Sequence, residues 1–229
     1  YSSDMDASIT RKITKYRTFA ETWKVQIGRE LDMTNDAYMF RSEDTGIPLW
    51  EGSLTHNFSI SQGPKKYVEP NLYAKVKNSD FYHYRVILRG ILSDGARKVQ
   101  CSVVPKGYAL GNSLNYIKPA TFKSLNEAAF VVGILNSYVV EYRVQQTRSG
   151  YNLNHFRIKQ LPIPKLQEGN RIFNEIVIRV AKLICTNEKF SEFWQKVMKS
   201  KWNPNCGIIN EKERKCCRAE IDVLVAILY

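Results

Sequence analysis

The chain has 229 residues, with 34 Lys+Arg against 22 Asp+Glu and a formal net charge of +12. Its composition, 44% hydrophobic and 24% charged, is that of a globular protein, which excludes a disordered or collagen-like chain; the longest apolar run, Ala128 to Leu135, falls far short of the ~20 residues a membrane helix needs. Five cysteines, none spaced as Cys-x-x-Cys, argue against a disulfide framework or a zinc site and for the reduced thiols of a cytoplasmic protein. The start at Tyr1, without the basic-then-apolar pattern of a secretion signal, suggests a piece of a longer chain.

Ile9, Ile13, Tyr16 and Ala20, three or four apart, predict one amphipathic helix over 5–20. Residues 23–27 then alternate as a strand, and Leu54, His56, Phe58 and Ile60 share one face of a second predicted strand after Pro48. The clearest element is a hairpin of Phe81–Leu92 and Lys98–Val104, with Asp94-Gly95 supplying the turn. Its period-two faces put Tyr82, Tyr84, Val86, Leu88 and Leu92 with Val99, Cys101 and Val103 on a core side. The other side carries His83, Arg85, Arg89, Lys98, Gln100 and Ser102, a basic face that is either wet sheet surface or a track for phosphates.

The Gly-, Asn- and Ser-rich stretch after Pro105 reads as an irregular loop. Ser124-x-x-Glu127 has the form of a capping box and opens a helix expected to run to about Gln146. A short strand is expected over 156–161, and helices over about 170–186, 188–199 and 211–229. These elements predict an α+β fold: a mainly antiparallel or mixed sheet with a basic hairpin, one long helix packed on it, and a C-terminal helical group.

The charge is unevenly distributed. Residues 1–45 carry 7 basic and 8 acidic side chains, residues 46–169 carry 16 and 7, and residues 170–229 carry 11 and 7. A basic middle between near-neutral flanks points to nucleic acid. Motifs for chemistry are missing: there is no dinucleotide or P-loop glycine pattern, no His-Glu-x-x-His, and no Gly-x-Ser-x-Gly. His56, His83 and His155 lack the spacing of ligands or a triad, and Asp32 and Asp36 lack the further groups of a nuclease-type metal site. Read from residues alone, the chain is a binding module with no catalytic, cofactor-binding or metal-binding residues of its own.

Five segments in order, IGRELDMTNDAYMF (27–40), PLWEGSLTHNFS (48–59), YRVILRGILSDGARKVQCSVVPKGYALGNSLNY (84–116), FVVGILNSYVVEYRVQQTRSGYNLNHFRIKQLPIPKL (130–166) and RAEIDVLVAILY (218–229), resemble the C-terminal part of adenine-specific DNA methyltransferases of the type IIG restriction-modification class. Trp50, Ser53, Leu54, Thr55 and Asn57 depart from that family's usual PLYEGKMIHQFD. The family's Asn-Pro-Pro-Tyr tetrapeptide, which holds the extruded adenine, is absent, as is its S-adenosylmethionine pocket.

The resemblance therefore implies a target-recognition domain: it binds double-stranded DNA and positions an adenine for flipping into a methyltransferase domain outside this sequence, where S-adenosyl-L-methionine would bind. It also implies a division into a joining segment (1–45), a DNA target-recognition domain (46–169) and a C-terminal helical subdomain (170–229). Whether the parent enzyme also cuts DNA is left open. On this reading Lys65, Lys66, Lys75, Lys77, Arg85, Arg89 and Lys98 hold phosphates. Asn112, Ser113, Arg148, Asn152, Asn154 and His155, on two polar loops, are candidates for reading base edges, although asparagines there equally suit loop capping. The rivals are the specificity subunit of a type I restriction system, whose recognition domains carry segments resembling Leu161-Pro162-Ile163-Pro164, a divergent but intact methyltransferase, and a non-catalytic protein-interaction domain.

Overall fold

In the computed structural model, which describes residues 4–60, 63–76, 79–92, 98–147 and 150–229, the N-terminal apolar spacing resolves into two helices. α1 (Asp4–Thr14) buries Ile13. α2 (Phe19–Trp23) starts at Thr18, whose hydroxyl accepts from Glu21 N while the Glu21 carboxylate accepts from Thr18 N. This reciprocal cap reopens a helix after the break at residues 15–17. With Trp23 consumed by α2, the expected strand shrinks to β1 (Ile27–Gly28).

Short strands follow: β2 (Phe40–Arg41), β3 (Ile47–Trp50), β4 (Thr55–His56), β5 (Ser59–Ile60) and β6 (Lys66–Val68). The single strand expected after Pro48 is folded back on itself, because residues 52–54 form a 3-10 turn and Phe58 takes a φ of +58° in the tight turn that pairs Thr55 with Ile60. After the short helix α3 (Pro70–Tyr73) come β7 (Arg85–Arg89), β8 (Cys101–Val104), β9 (Ala109–Leu110) and β10 (Leu114–Ile117).

The β7–β8 pairing is the expected hairpin in shortened form, with Val86 opposite Val103 and Leu88 opposite Cys101; residues 79–82 form a 3-10 turn before β7, so Tyr82, assigned to the core side, is instead 71% exposed, and the turn at 93–97 lies outside the described residues. The stretch expected to be irregular instead holds β10, an interior strand of the first sheet, whose order is β1-β10-β7-β8. Gly111-Asn112-Ser113 is only the turn that delivers it, while Leu114, Tyr116 and Ile117 fill cores on both sides. The second sheet has the order β2-β6-β3-β9, with β3 and β9 parallel. The fold is α+β.

The long helix divides into α4 (Leu125–Leu135) and α5 (Tyr138–Gln146). Asn136 is the cause: its amide accepts from Cys101 N at 3.2 Å and donates to Cys101 O at 2.9 Å, so a buried side chain binds the edge strand β8 where the helix would have continued. Ser137 then caps α5. The strand expected over 156–161 is a helix, α6 (His155–Lys159), because Asn154 Oδ1 accepts from Arg157 N at 3.0 Å as its cap. α7 (Arg171–Ile184), α8 (Ser191–Met198) and α9 (Glu211–Leu228) lie where the apolar spacing places them, and Asn170 and Asn210 cap α7 and α9.

One core runs from Phe19 through the inner face of β7–β8, α4 and α7 to Val225 of α9. Residues 1–45 contribute β1 to one sheet and β2 to the other, and α4 packs on α7 across the expected 169/170 boundary. The α4–α7 contact is close at Gly133, where an added Cβ would stand 2.5 Å from Ile176 Cγ2 and 3.1 Å from Val180 Cγ2. Gly133→Val is therefore expected to destabilise the fold by about 1–3 kcal/mol through overpacking, read as a lower urea midpoint at unchanged m-value.

Candidate nucleic-acid interface

The structure withdraws Arg85 from the phosphate set. Alternation places it on the polar face of β7, but the second sheet covers that face, where Ile87, Val104 and Tyr116 pack with Trp50 and Leu110. Arg85 is 0% exposed. Its Nη1 donates to Glu30 Oε2 at 2.6 Å, its Nη2 donates to the Tyr108 carbonyl, and its guanidinium lies 5.7 Å from the Tyr116 ring centre. Glu30 also accepts from the Tyr73 hydroxyl and from Leu110 N at 3.2 Å. Ser102, assigned to the same outer face, is likewise buried.

Burial pushes the Glu30 carboxyl above its ordinary 4.5, against the opposing pull of Arg85, Tyr73 and Leu110. The folded state thus keeps this proton where the unfolded chain has lost it. The contribution to stability is full below about 4.5 and fades as pH rises through the raised value. The stability difference between wild type and Glu30→Gln is expected to fall as pH rises from about 4.5 and then level off, as thermal melts across pH would record. Arg85→Ala strands the carboxylate and is expected to cost about 3–5 kcal/mol in chemical denaturation, whereas Arg85→Leu with Glu30→Met recovers most of that loss.

The remaining phosphate candidates separate into two groups. Lys65 and Lys75 are exposed, and Lys66 on β6 has its Nζ 3.8 Å from Glu51; these three belong to the second-sheet side. Arg89 ends β7, and Lys98 precedes β8 with its backbone N–H donated to Glu141 Oε2 at 2.9 Å, both on the first sheet. Lys77 and the base-reading candidate Arg148 lie outside the described residues.

The first polar loop is fastened inward. Asn112 Nδ2 donates to Asp32 Oδ2 at 2.7 Å, and Ser113 Oγ accepts from Gly52 N at 2.8 Å. Asp32 in turn accepts from Thr34 N and Asn35 N, and Asp36 accepts from Asp32 N at 2.8 Å. The two aspartates therefore close a loop. Among the described residues no group of His, Cys, Asp and Glu is arranged to hold a metal ion, and no helix is long and apolar enough to cross a membrane.

The second loop is docked on the sheet and still faces outward. Leu92 N donates to Tyr151 O and Leu153 N to Gly90 O, both at 2.8 Å, so residues 151–153 pair with the continuation of β7. Asn115 Nδ2 holds the Leu153 carbonyl at 2.7 Å. Arg157 clamps the other side: Nη1 donates to the Gly150 and Asn152 carbonyls, and Nη2 to Val144 O and Thr147 Oγ1. Asn154 is spent as the α6 cap, so the capping alternative holds for it. Asn152 uses only its carbonyl inward and keeps an exposed side chain. His155 is half-buried, its Nε2 has no hydrogen-bond partner, and burial, then Arg29 and Lys159, lower its pKa below 6.5.

Sequence reasoning named Arg89 but missed Arg29, Arg143, Lys159 and the exposed rings around this loop. Among the described residues Arg29, Arg89, Arg143 and Lys159 make no salt bridge, whereas several basic residues on the C-terminal helices, including Lys196, Arg179 and Arg218, are paired with glutamates. A groove of about 570 Å³ between α5 and α6 is lined by Arg143, Thr147, Asn154, Phe156, Arg157 and Gln160, with no carboxylate in its wall. Arg29 comes from the N-terminal segment and Arg143 from a helix expected to pack on the sheet, so no local signal groups them with the loop.

No family model matches this sequence, and no curated protein does. The chain is similar, at 11% sequence identity and a TM-score of 0.44, to a chain in a solved structure concerned with complex assembly and conformational transition of the type I R-M system. That similarity covers 93% of the present chain and 43% of the other, so this chain spans less than half the length of its structural neighbour.

Proposed function

We propose that this chain is the DNA target-recognition module of a restriction-modification adenine-N6 methyltransferase, and that it positions the target adenine for a catalytic domain that binds S-adenosylmethionine. One observation carries the reading: the loop that the sequence resemblance nominates for base contacts is bolted to the end of the first sheet by Arg157 and Asn115, with Asn152 turned outward among cations that have no acidic partner. A rigid mount suits a side chain that must read a base edge, since a small displacement forfeits a bidentate contact. With Arg85 withdrawn, Arg29 and Lys159 join Arg89 as the phosphate contacts of this proposal. The type I specificity subunit remains the second reading, on Leu161-Pro162-Ile163-Pro164, and shares the same DNA surface.

The test is a salt titration of affinity for duplex DNA. Arg89→Ala and Lys159→Ala are each expected to weaken binding of all duplexes and to lower the slope of log K against log salt by about 1. Asn152→Ala is expected to relax sequence preference by about 1–3 kcal/mol at one base position, leaving the slope unchanged. Absence of salt-dependent duplex binding at low ionic strength would sink the proposal. Micromolar binding of S-adenosylmethionine in calorimetry would instead mark a complete methyltransferase.

A further inference from the structure

Three large apolar side chains stand out from the surface that carries this loop: Ile91 is 55% exposed, Tyr151 66% and Phe156 70%. Single exposed apolar residues need no explanation, but grouped ones do. Ile91 is bridged to Asn152, the neighbour of Tyr151, and Phe156 is the second residue of α6, which follows the loop directly. The mount beneath them is stiff. Leu153 and Ile158 are fully buried, Asn154 caps the helix, and the Arg157 guanidinium gives hydrogen bonds to four uncharged oxygens from two elements. A backbone held this way pays little further ordering cost when the ring it carries is inserted into a partner.

The surroundings say what the partner is. Phe156 borders the groove that contains Arg143 and Arg157 and no acidic wall, and Arg29 and Lys159 lie close enough to His155 to depress its pKa. Flat apolar rings beside uncompensated cations match bases beside phosphates. Resting on the DNA-recognition reading above, we propose that Phe156 is a wedge that inserts at a base step of the bound duplex, with the adjoining phosphate seated on Arg143 in the α5–α6 groove. Opening one step on the side of the wedge kinks the duplex away from the inserted ring, and flexible pyrimidine–purine steps make that kink least costly. The wedge thus adds sequence preference at a position that no hydrogen bond reads.

The experiment uses the whole chain and a duplex enriched from a random-sequence pool by binding to it. 2-Aminopurine placed in turn along that duplex reports unstacking, and dyes at its ends report bending. Wild type is expected to brighten 2-aminopurine at one step and to shorten the end-to-end distance. Phe156→Ala should abolish both signals and weaken affinity about ten- to a hundredfold, the loss of one aromatic–base stack, with an unchanged salt slope. Phe156→Trp should restore them, and Arg143→Ala should lower the slope by about 1. The exposed position of Phe156 leaves the fold intact, and matched thermal melts verify this. If wild type binds the duplex with salt dependence but Phe156→Ala binds equally well, the wedge is overturned and DNA recognition stands. If wild type enriches no duplex, the recognition reading itself fails, and the wedge with it.

Discussion

The Arg85–Glu30 pair sits where β7 of the first sheet meets the β9 segment of the second, enclosed on all sides. A buried charge that loses its partner costs several kcal/mol, so the two sheets can slide past each other only by breaking both ion and hydrogen bonds. The pair is poor evidence for net stability, because apolar residues of similar volume would also fill the space. What it supplies is register. Glu30 draws Arg85, Tyr73 and Leu110 to one point, and the turn at Gly111–Ser113 must then deliver β10 beside β7. The loop at 151–153 is built on that edge, since it pairs with residues 90–92 and is held by Asn115 of β10.

Arginines are used here in two physically different ways. Arg85, Arg157 and Arg214 act as clamps whose planar fork gathers backbone carbonyls: Arg214 Nη1 holds the Leu183 and Ile208 carbonyls at 2.9 and 2.7 Å, tying α9 to the end of α7. Arg29, Arg89 and Arg143 stay uncompensated near the second loop. Net charge alone does not separate these classes. The +12 of the chain includes side chains that no phosphate can reach and others that glutamates neutralise, so the electrostatic footprint is smaller and more localised than the middle-segment excess suggests.

The α+β class, the β7–β8 hairpin, and the three C-terminal helices were legible in the sequence, because each rests on a period that repeats over several turns or pairs. The errors share a cause. Asn136 splits a helix, Asn154 caps one where a strand was expected, and Thr18 restarts another: in each a short polar side chain chooses between the local backbone and a distant partner. The strand β10 was hidden because its Gly-Asn-Ser turn dominates the composition of so short a segment. The candidate site was half legible. The second loop was found by its polar residues, while Arg29, Arg143 and the exposed rings Tyr151 and Phe156 were not.

By itself the sequence determined which side of the β7–β8 hairpin is polar, where most helices begin, and that a basic segment lies between near-neutral flanks, since these are properties of neighbours along the chain. Only the tertiary structure decided which polar face meets water. Arg85 and Arg89 lie on the same face of β7, four residues apart; the second sheet covers one and leaves the other at the edge. That difference depends on residues from positions 30 to 116 meeting in space, and no local period carries it.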